Sequence, residues 1–302
     1  MLDADALLER RRLKRRLILW RALFVVAVLG MVLVAVEGTD SDGMFAGDRI
    51  ARLEVNGVIA EDPGLDRALA NLAKDDHVKA VIVRINSPGG TTFGGETLYT
   101  GLRRVAQHKP VVAVIGTLGA SAGYLIALAG DRIFARETSL TGSIGVILQT
   151  AEFSKLMEKL GVSAESITSG PLKDQPSPFR KLSPEGRQSL QQTIDGTYSW
   201  FVSLVSDRRK LPREAVLQVA DGRVLTGRAA LDDKLIDELG GETEALAWLA
   251  SARGIDAHLP VRRVKVEDAS GWLGEASSSI RKIVLSERLT LDGLVSLWHP
   301  DR

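Results

Sequence analysis

Between Ile50 and Thr168 the chain alternates short apolar runs with segments of helical spacing, and no other feature constrains its fold as tightly. Ile50–Ile59, Val78–Ile85, Val111–Ile115, Arg132–Ala135, Ile144–Leu148 and Ser163–Thr168 read as strands. Leu65–Ala73, Leu98–Gln107, Ala122–Ala129 and Phe153–Leu160 read as helices. Short strands separated by helices of about ten residues build βαβ units and a mainly parallel sheet. Beyond Lys173 helices take over. Pro184–Arg209 opens with Ser183 as its cap and a proline in its first turn, and Glu214–Val219, Arg228–Lys234 and Glu242–Arg253 follow. No internal repeat is visible, so one domain is expected over residues 49–255. The tail, 256–302, holds a strand-like Val261–Val266 and an apolar series from Ile280 to Trp298. That series fits a helix on its own domain, on a partner subunit or on a membrane surface.

The N-terminus carries a separate signal. Of 39 basic and 38 acidic residues, residues 1–21 hold seven basic ones against Asp3, Asp5 and Glu9, leaving 32 basic and 35 acidic residues in the remainder. No basic face for nucleic acid is evident, and the positive charge belongs to the tail 1–16 and its flank. Directly after it, Leu17–Val36 is apolar except for Arg21. Twenty helical residues at about 1.5 Å each span roughly 30 Å, the thickness of a bilayer's hydrocarbon. Arg21 can snorkel to the headgroups and Trp20 suits the interface. Val34-Ala35-Val36-Glu37 offers no Ala-x-Ala cleavage site. An uncleaved signal anchor over 17–36 is therefore expected, in contact with membrane lipid, with the N-terminus cytoplasmic and the rest outside. Residues 37–48 form a Gly/Asp/Ser linker. There is no cysteine, which excludes disulfides, thiol nucleophiles and Cys-zinc sites.

Four segments look chemical. Asn86-Ser87-Pro88-Gly89-Gly90 follows a strand, and its glycines can present backbone N–H groups to an oxyanion. Gly119-Ala120-Ser121-Ala122-Gly123-Tyr124 places Ser121 at a strand-to-helix turn, where the helix dipole favours developing negative charge. Thr141-Gly142-Ser143-Ile144-Gly145-Val146 offers Ser143 as a hydrogen-bonding partner for a neutral lysine. The fourth holds Lys173, 52 positions after Ser121, in Ser169-Gly170-Pro171-Leu172-Lys173-Asp174. A serine needs a base to become a nucleophile, and a desolvated lysine can supply it. None of the four histidines, His77, His108, His258 and His299, falls between Ser121 and Lys173, which disfavours a Ser-His-Asp relay. There is no Gly-x-x-x-x-Gly-Lys-Ser/Thr loop and no His-Glu-x-x-His, so no metal, nucleotide or organic cofactor is implied.

Taken in order, these segments and the later Gly222-Arg223-Val224-Leu225-Thr226-Gly227 resemble bacterial signal peptide peptidase A of the short single-domain type, over about residues 49–250. The resemblance implies an α/β fold similar to Clp protease and crotonase, a parallel-sheet core with outlying helices behind one transmembrane helix. It implies Ser121 as nucleophile, Lys173 as general base and Ser143 as the residue orienting the lysine. Backbone N–H groups of Gly89, Gly90 and Ala122 would form the oxyanion hole. It further implies a homo-oligomeric ring in which the two dyad residues can come from neighbouring subunits, and peptide substrates that are cleaved signal peptides. Where the family pattern has Gly-Leu-Val-Asp, this chain has Lys234-Leu235-Ile236-Asp237. A related peptidase acting on membrane or misfolded proteins shares all these features. An acyl-CoA enzyme of crotonase type lacks a coenzyme supply outside the cytoplasm, and a dead scaffold would have lost Ser121 or Lys173.

Overall fold

The computed structural model describes residues 47–266 throughout, with Trp20, Arg21, Phe24 and Val25 and the backbone of Val295–Leu297. A compact unit begins at Asp48. Its central sheet is built from β1 (Arg49–Asn56), β2 (Val78–Ser87), β4 (Val111–Ala120), β5 (Arg132–Ala135), β6 (Leu140–Gly142), β7 (Val224–Thr226), β8 (Glu238–Leu239) and β9 (Val261–Arg263). The strands run in the order β7-β6-β4-β2-β1-β9, with β5 pairing β4 and β8. All pairs are parallel except β6 with β7. A mainly parallel α/β sheet is what the alternation predicts.

The core strands are apolar on both faces, and the period of two sorts their residues between two layers. Ala51, Leu53, Val81, Val83, Val111 and Ala113 point into one cluster. Helices α1 (Pro63–Lys74), α2 (Thr92–Ala106), α3 (Ala122–Ala127) and α5 (Pro184–Arg209) contribute to that cluster. Ile50, Ala80, Ile82, Val112, Val114 and Phe134 point the other way, against Ala245 and Leu249 of α8 (Glu242–Arg253). The helix starts follow their local chemistry. Asp62 Oδ1 accepts from the N–H groups of Gly64 and Leu65, and Ser183 Oγ accepts from Gly186 N–H. Pro63 and Pro184 occupy first-turn positions where no donor is needed.

Several expected elements differ. The strand expected at Ile144–Leu148 forms earlier, as β6, because Gly142 and Ser143 take positive φ (78° and 49°) and turn the chain out of the sheet. Ser163–Thr168 is not a strand: it is exposed and pairs with no strand among the described residues. Helix α4 (Ser154–Lys159) is present but buries none of its residues. The sheet extends past residue 255, since β9 pairs with β1. The tail's helical reading fails at Val295–Leu297, which is the strand β10 on β3 (Gly89–Thr91). The remaining tail residues beyond 266 lie outside the described residues, as do most of the expected anchor and its linker. Trp20, Arg21, Phe24 and Val25 are helical. Among the described residues, no helix is long and apolar enough to cross a membrane.

Candidate active site

Ser121 stands between the end of β4 and the start of α3, with φ 55° and ψ −117°. A non-glycine residue in this region is strained and persists only where its surroundings over-determine it. Here they do. Ser121 N–H donates to Gly142 O at 2.9 Å, and its carbonyl accepts from Leu125 N–H at 2.9 Å. The preceding Gly119 and Ala120 pair with Thr141 and Gly142, and Thr141 Oγ1 donates to Gly119 O at 2.8 Å. The Ser121 hydroxyl caps nothing. The residue is 1% exposed and every residue of α3 is buried, so the turn is anchored in the core. Helix geometry leaves the first N–H groups of α3, that of Ala122 among them, without an intrahelical acceptor.

The glycine loop packs beside this turn. Ser87 is fully buried and pairs with Gly119, and Gly123 is so close that a side chain there would meet Ser87 O at 3.0 Å. Gly89 takes φ 116°, and its N–H donates to Ser87 Oγ at 3.1 Å. That bond engages the Gly89 donor within its own loop, and Gly90 pairs with Ser296 of β10. Ser87 is a residue the sequence reading passed over, although it stands inside the motif. Gly89 O and Thr91 N–H both bond to Ile59, which brings the Ile59 backbone against Gly90. A Cβ on Gly90 would lie 1.8 Å from Ile59 O.

Ser143 is 7% exposed and also takes positive φ. Its N–H donates to Arg223 O at 2.8 Å, so the Gly222–Gly227 segment has a role in the site. It supplies β7, which pairs antiparallel with β6 and holds the Ser143 turn from behind. Gly227 is glycine for a steric reason, since a Cβ would sit 2.0 Å from Arg136 O. Spacing alone gives no sign of that support. Nothing on one strand announces an antiparallel partner some eighty residues on.

Lys173 is not joined to the other site residues. It is exposed, in a turn closed by its own N–H to Gly170 O at 3.2 Å, and no hydrogen bond links its side chain to Ser121 or Ser143. The stretch around it carries apolar side chains in solvent, among them Phe153, Leu156, Leu160, Ile167, Leu172 and Phe179.

The model of peptidase family S49 matches residues 103–256, just over half of the sequence. The chain belongs to peptidase family S49. It is a serine peptidase. A Synechocystis sp. protein provisionally named a protease is 43% identical over 211 residues, covering 69% of this chain and 76% of that one. An Enterococcus faecium protein provisionally named signal peptide peptidase SppA is 33% identical, covering 80% and 77%. The chloroplastic serine protease SPPA of Arabidopsis thaliana is 32% identical over 79% of this chain and 35% of its own length. Among solved structures, a point mutant of ClpP1 from Listeria monocytogenes aligns at a TM-score of 0.42 and 18% identity, over 63% of this chain and 91% of that one. The matched span of the family model holds Ser121, Ser143 and Lys173 as well as the Gly222–Gly227 segment.

Proposed function

We propose that this S49 peptidase is a membrane-anchored Ser-Lys endopeptidase that degrades cleaved signal peptides. The observation that carries the reading is Ser121 itself, held buried at φ 55° as the N-cap of a buried helix with its hydroxyl making no cap bond. In this mechanism Ser121 Oγ attacks the scissile carbonyl while neutral Lys173 Nζ takes the hydroxyl proton. The N–H groups of Gly90 and Ala122 receive the oxyanion, with Gly89 shaping the loop. The ammonium of Lys173 protonates the departing amine, and water activated by the same lysine hydrolyses the acyl-enzyme. Ser143 orients Lys173. The edge of β3 accepts an extended chain, as its pairing with Val295–Leu297 illustrates, and a substrate peptide would lie along that edge.

The two dyad residues belong to neighbouring subunits of a ring. A lysine serves as base only when desolvated, and among the described residues Lys173 is exposed. The apolar side chains of the 147–179 stretch form the surface a neighbour would bury. Residues 17–36 anchor the protein in the cytoplasmic membrane of a bacterium, N-terminus inside and catalytic unit outside. Tethering raises the encounter rate with peptides left in the bilayer.

Ser121→Ala and Lys173→Ala are each expected to abolish cleavage of a model signal peptide. Co-expression of the two inactive variants then decides ownership. A site shared between subunits recovers about a quarter of the wild-type sites on random mixing, whereas a site within one chain recovers none. Retained turnover in either single variant would exclude the dyad. Indifference to a panel of signal peptides, with cleavage of membrane-protein fragments, would redirect the substrate assignment to membrane or misfolded proteins.

A further inference from the structure

Ser121 is the apex of a unit whose two feet are tied together. β4 starts at Val111, and after α3 the chain returns beside that start at Asp131. Val111 N–H donates to Asp131 Oδ2 at 3.1 Å, and Asp131 N–H donates to Val111 O at 2.7 Å. Between apex and feet, the turn after α3 carries three consecutive carbonyls whose outer bonds all come from arginines. Leu128 O accepts from Arg208 Nε at 2.7 Å, Gly130 O from Arg208 Nη2 at 2.9 Å, and Ala129 O from Arg103 Nη1 at 2.9 Å. Leu128 and Ala129 are buried, so no solvent stands ready to replace these donors.

Arg208 comes from the last turn of α5 and Arg103 from the last turn of α2. Their partners lie at the rear of α3, not at the catalytic residues. Placing two guanidinium groups here has a cost, because burial and the charge of Arg103 both disfavour the Arg208 cation. The carbonyl bonds offset it, and so does Asp131, 3.7 Å from Arg103. Only a planar fork can span Leu128 O and Gly130 O at once, so lysine is not an equivalent. Cations also suit the negative end of a helix. Helix α3 has six residues and is about 9 Å long, so a shift at its rear reaches Ser121 through close-packed atoms.

We infer that Arg208, assisted by Arg103, is a positioning residue for the peptidase reaction: the pair clamps the rear of α3 and thereby sets the Ser121 hydroxyl and the Ala122 N–H. The inference rests on Ser121 being the nucleophile. Without the clamp the helix retains its place in the core but gains freedom along its axis. The oxyanion and the attacking oxygen then lose alignment, while the peptide-binding edge on β3 is untouched.

The test compares Arg208→Gln, Arg208→Lys and Arg103→Gln with the wild type, using the full-length protein in detergent. Active sites are counted with a fluorophosphonate, so that turnover is expressed per competent site. Arg208→Gln is expected to lower kcat about tenfold with KM changed by less than about twofold, since sub-ångström misplacement at a reacting centre acts on the transition state. Affinity for a peptide boronate, whose tetrahedral adduct fills the oxyanion hole, falls by the same factor. Affinity for a peptide with a reduced scissile bond does not change. Arg208→Lys, which restores one carbonyl bond, recovers part of kcat. Arg49→Gln, which breaks the 2.6 Å Arg49–Asp75 pair away from α3, leaves kcat unaltered and serves as the stability reference.

Wild-type kcat per site in Arg208→Gln would overturn the inference. A loss confined to KM, or equal losses of affinity for boronate and reduced peptide, would overturn it too. Should Arg208→Gln not fold, Arg103→Gln is held to the same criteria. Ser121→Ala in the same assay separates the two levels. If it still turns over, the reading of the site fails whatever Arg208 does. If it is dead and Arg208→Gln is normal, only the clamp fails.

Discussion

Gly90→Ala tests the oxyanion hole with one methyl group. A Cβ at position 90 would lie 1.8 Å from Ile59 O and 2.5 Å from both Ile59 C and Ile59 N. These are backbone atoms fixed by two hydrogen bonds, Ile59 N–H to Gly89 O and Thr91 N–H to Ile59 O, each 2.8 Å long. A carbon and a carbonyl oxygen approach no closer than about 3.3 Å in ordinary contacts. The two backbones must therefore part by about 1.5 Å, or both hydrogen bonds must break, to relieve the 1.8 Å contact. Overpacking of this kind costs about 1–3 kcal/mol of stability. The catalytic effect is larger, because Gly90 N–H cannot follow an oxyanion fixed by Ser121. A displacement above 1 Å at a donor corresponds to about 100-fold or more in kcat. Steady-state cleavage of a quenched peptide, per fluorophosphonate-reactive site and well below the midpoint of thermal unfolding, gives the number. A Gly90→Ala protein that folds and cleaves within about threefold of wild type would refute the oxyanion-hole assignment, since no arrangement of that loop keeps the donor in place beside a methyl group.

Ser87→Ala removes the acceptor that holds Gly89 at φ 116° and leaves a buried N–H unpaired, for an expected loss of about 1–3 kcal/mol by denaturant unfolding together with reduced kcat. Lys234 sits at φ 60°, where the related family pattern has glycine, so Lys234→Gly should raise stability by about 0.5–1 kcal/mol in thermal melts, with peptidase activity unchanged. Tyr124 is fully buried, its hydroxyl donating to Leu235 O at 2.8 Å, and burial pushes its pKa well above the ordinary 10.0. A raised folded-state value means its contribution is complete below pH 10.0 and is lost as pH climbs past it, because the unfolded phenol ionises first. Stability should therefore fall above that pH by up to about 1.4 kcal/mol per unit, and Tyr124→Phe should flatten that part of the alkaline limb.

Much of this fold follows from local rules. The continuous apolar runs Val78–Ile85 and Val111–Ile115 form strands as expected, Pro184–Arg209 starts at its Ser183 cap, and Glu242–Arg253 is a helix as its pattern predicts. The turn at Ser121 was legible because small residues crowd a strand end: Gly119 would strike Ile115 and Gly123 would strike Ser87 if either carried a side chain. What local pattern could not give is pairing at a distance. β6 exists at Leu140–Gly142 because the end of β4 and the far Val224–Thr226 offer it hydrogen bonds on both sides, whereas the more apolar Ile144–Leu148 is turned away by two positive-φ residues. Ser163–Thr168 has strand composition but no pairing neighbour among the described residues, and it forms no strand. The same logic applies to the chemistry. The turn at Ser121 is framed in part by nearby contacts such as Thr141 Oγ1 to Gly119 O, which leave a trace in small-residue motifs, whereas Ser87 against Gly119 and Arg208 behind α3 come from farther along the chain. In the proposed mechanism Lys173 would act as base only once desolvated, and among the described residues it is exposed. If a neighbouring subunit supplies that desolvation, as proposed, the signal for it lies in the exposed apolar side chains of the 147–179 stretch and not in the residues beside Lys173.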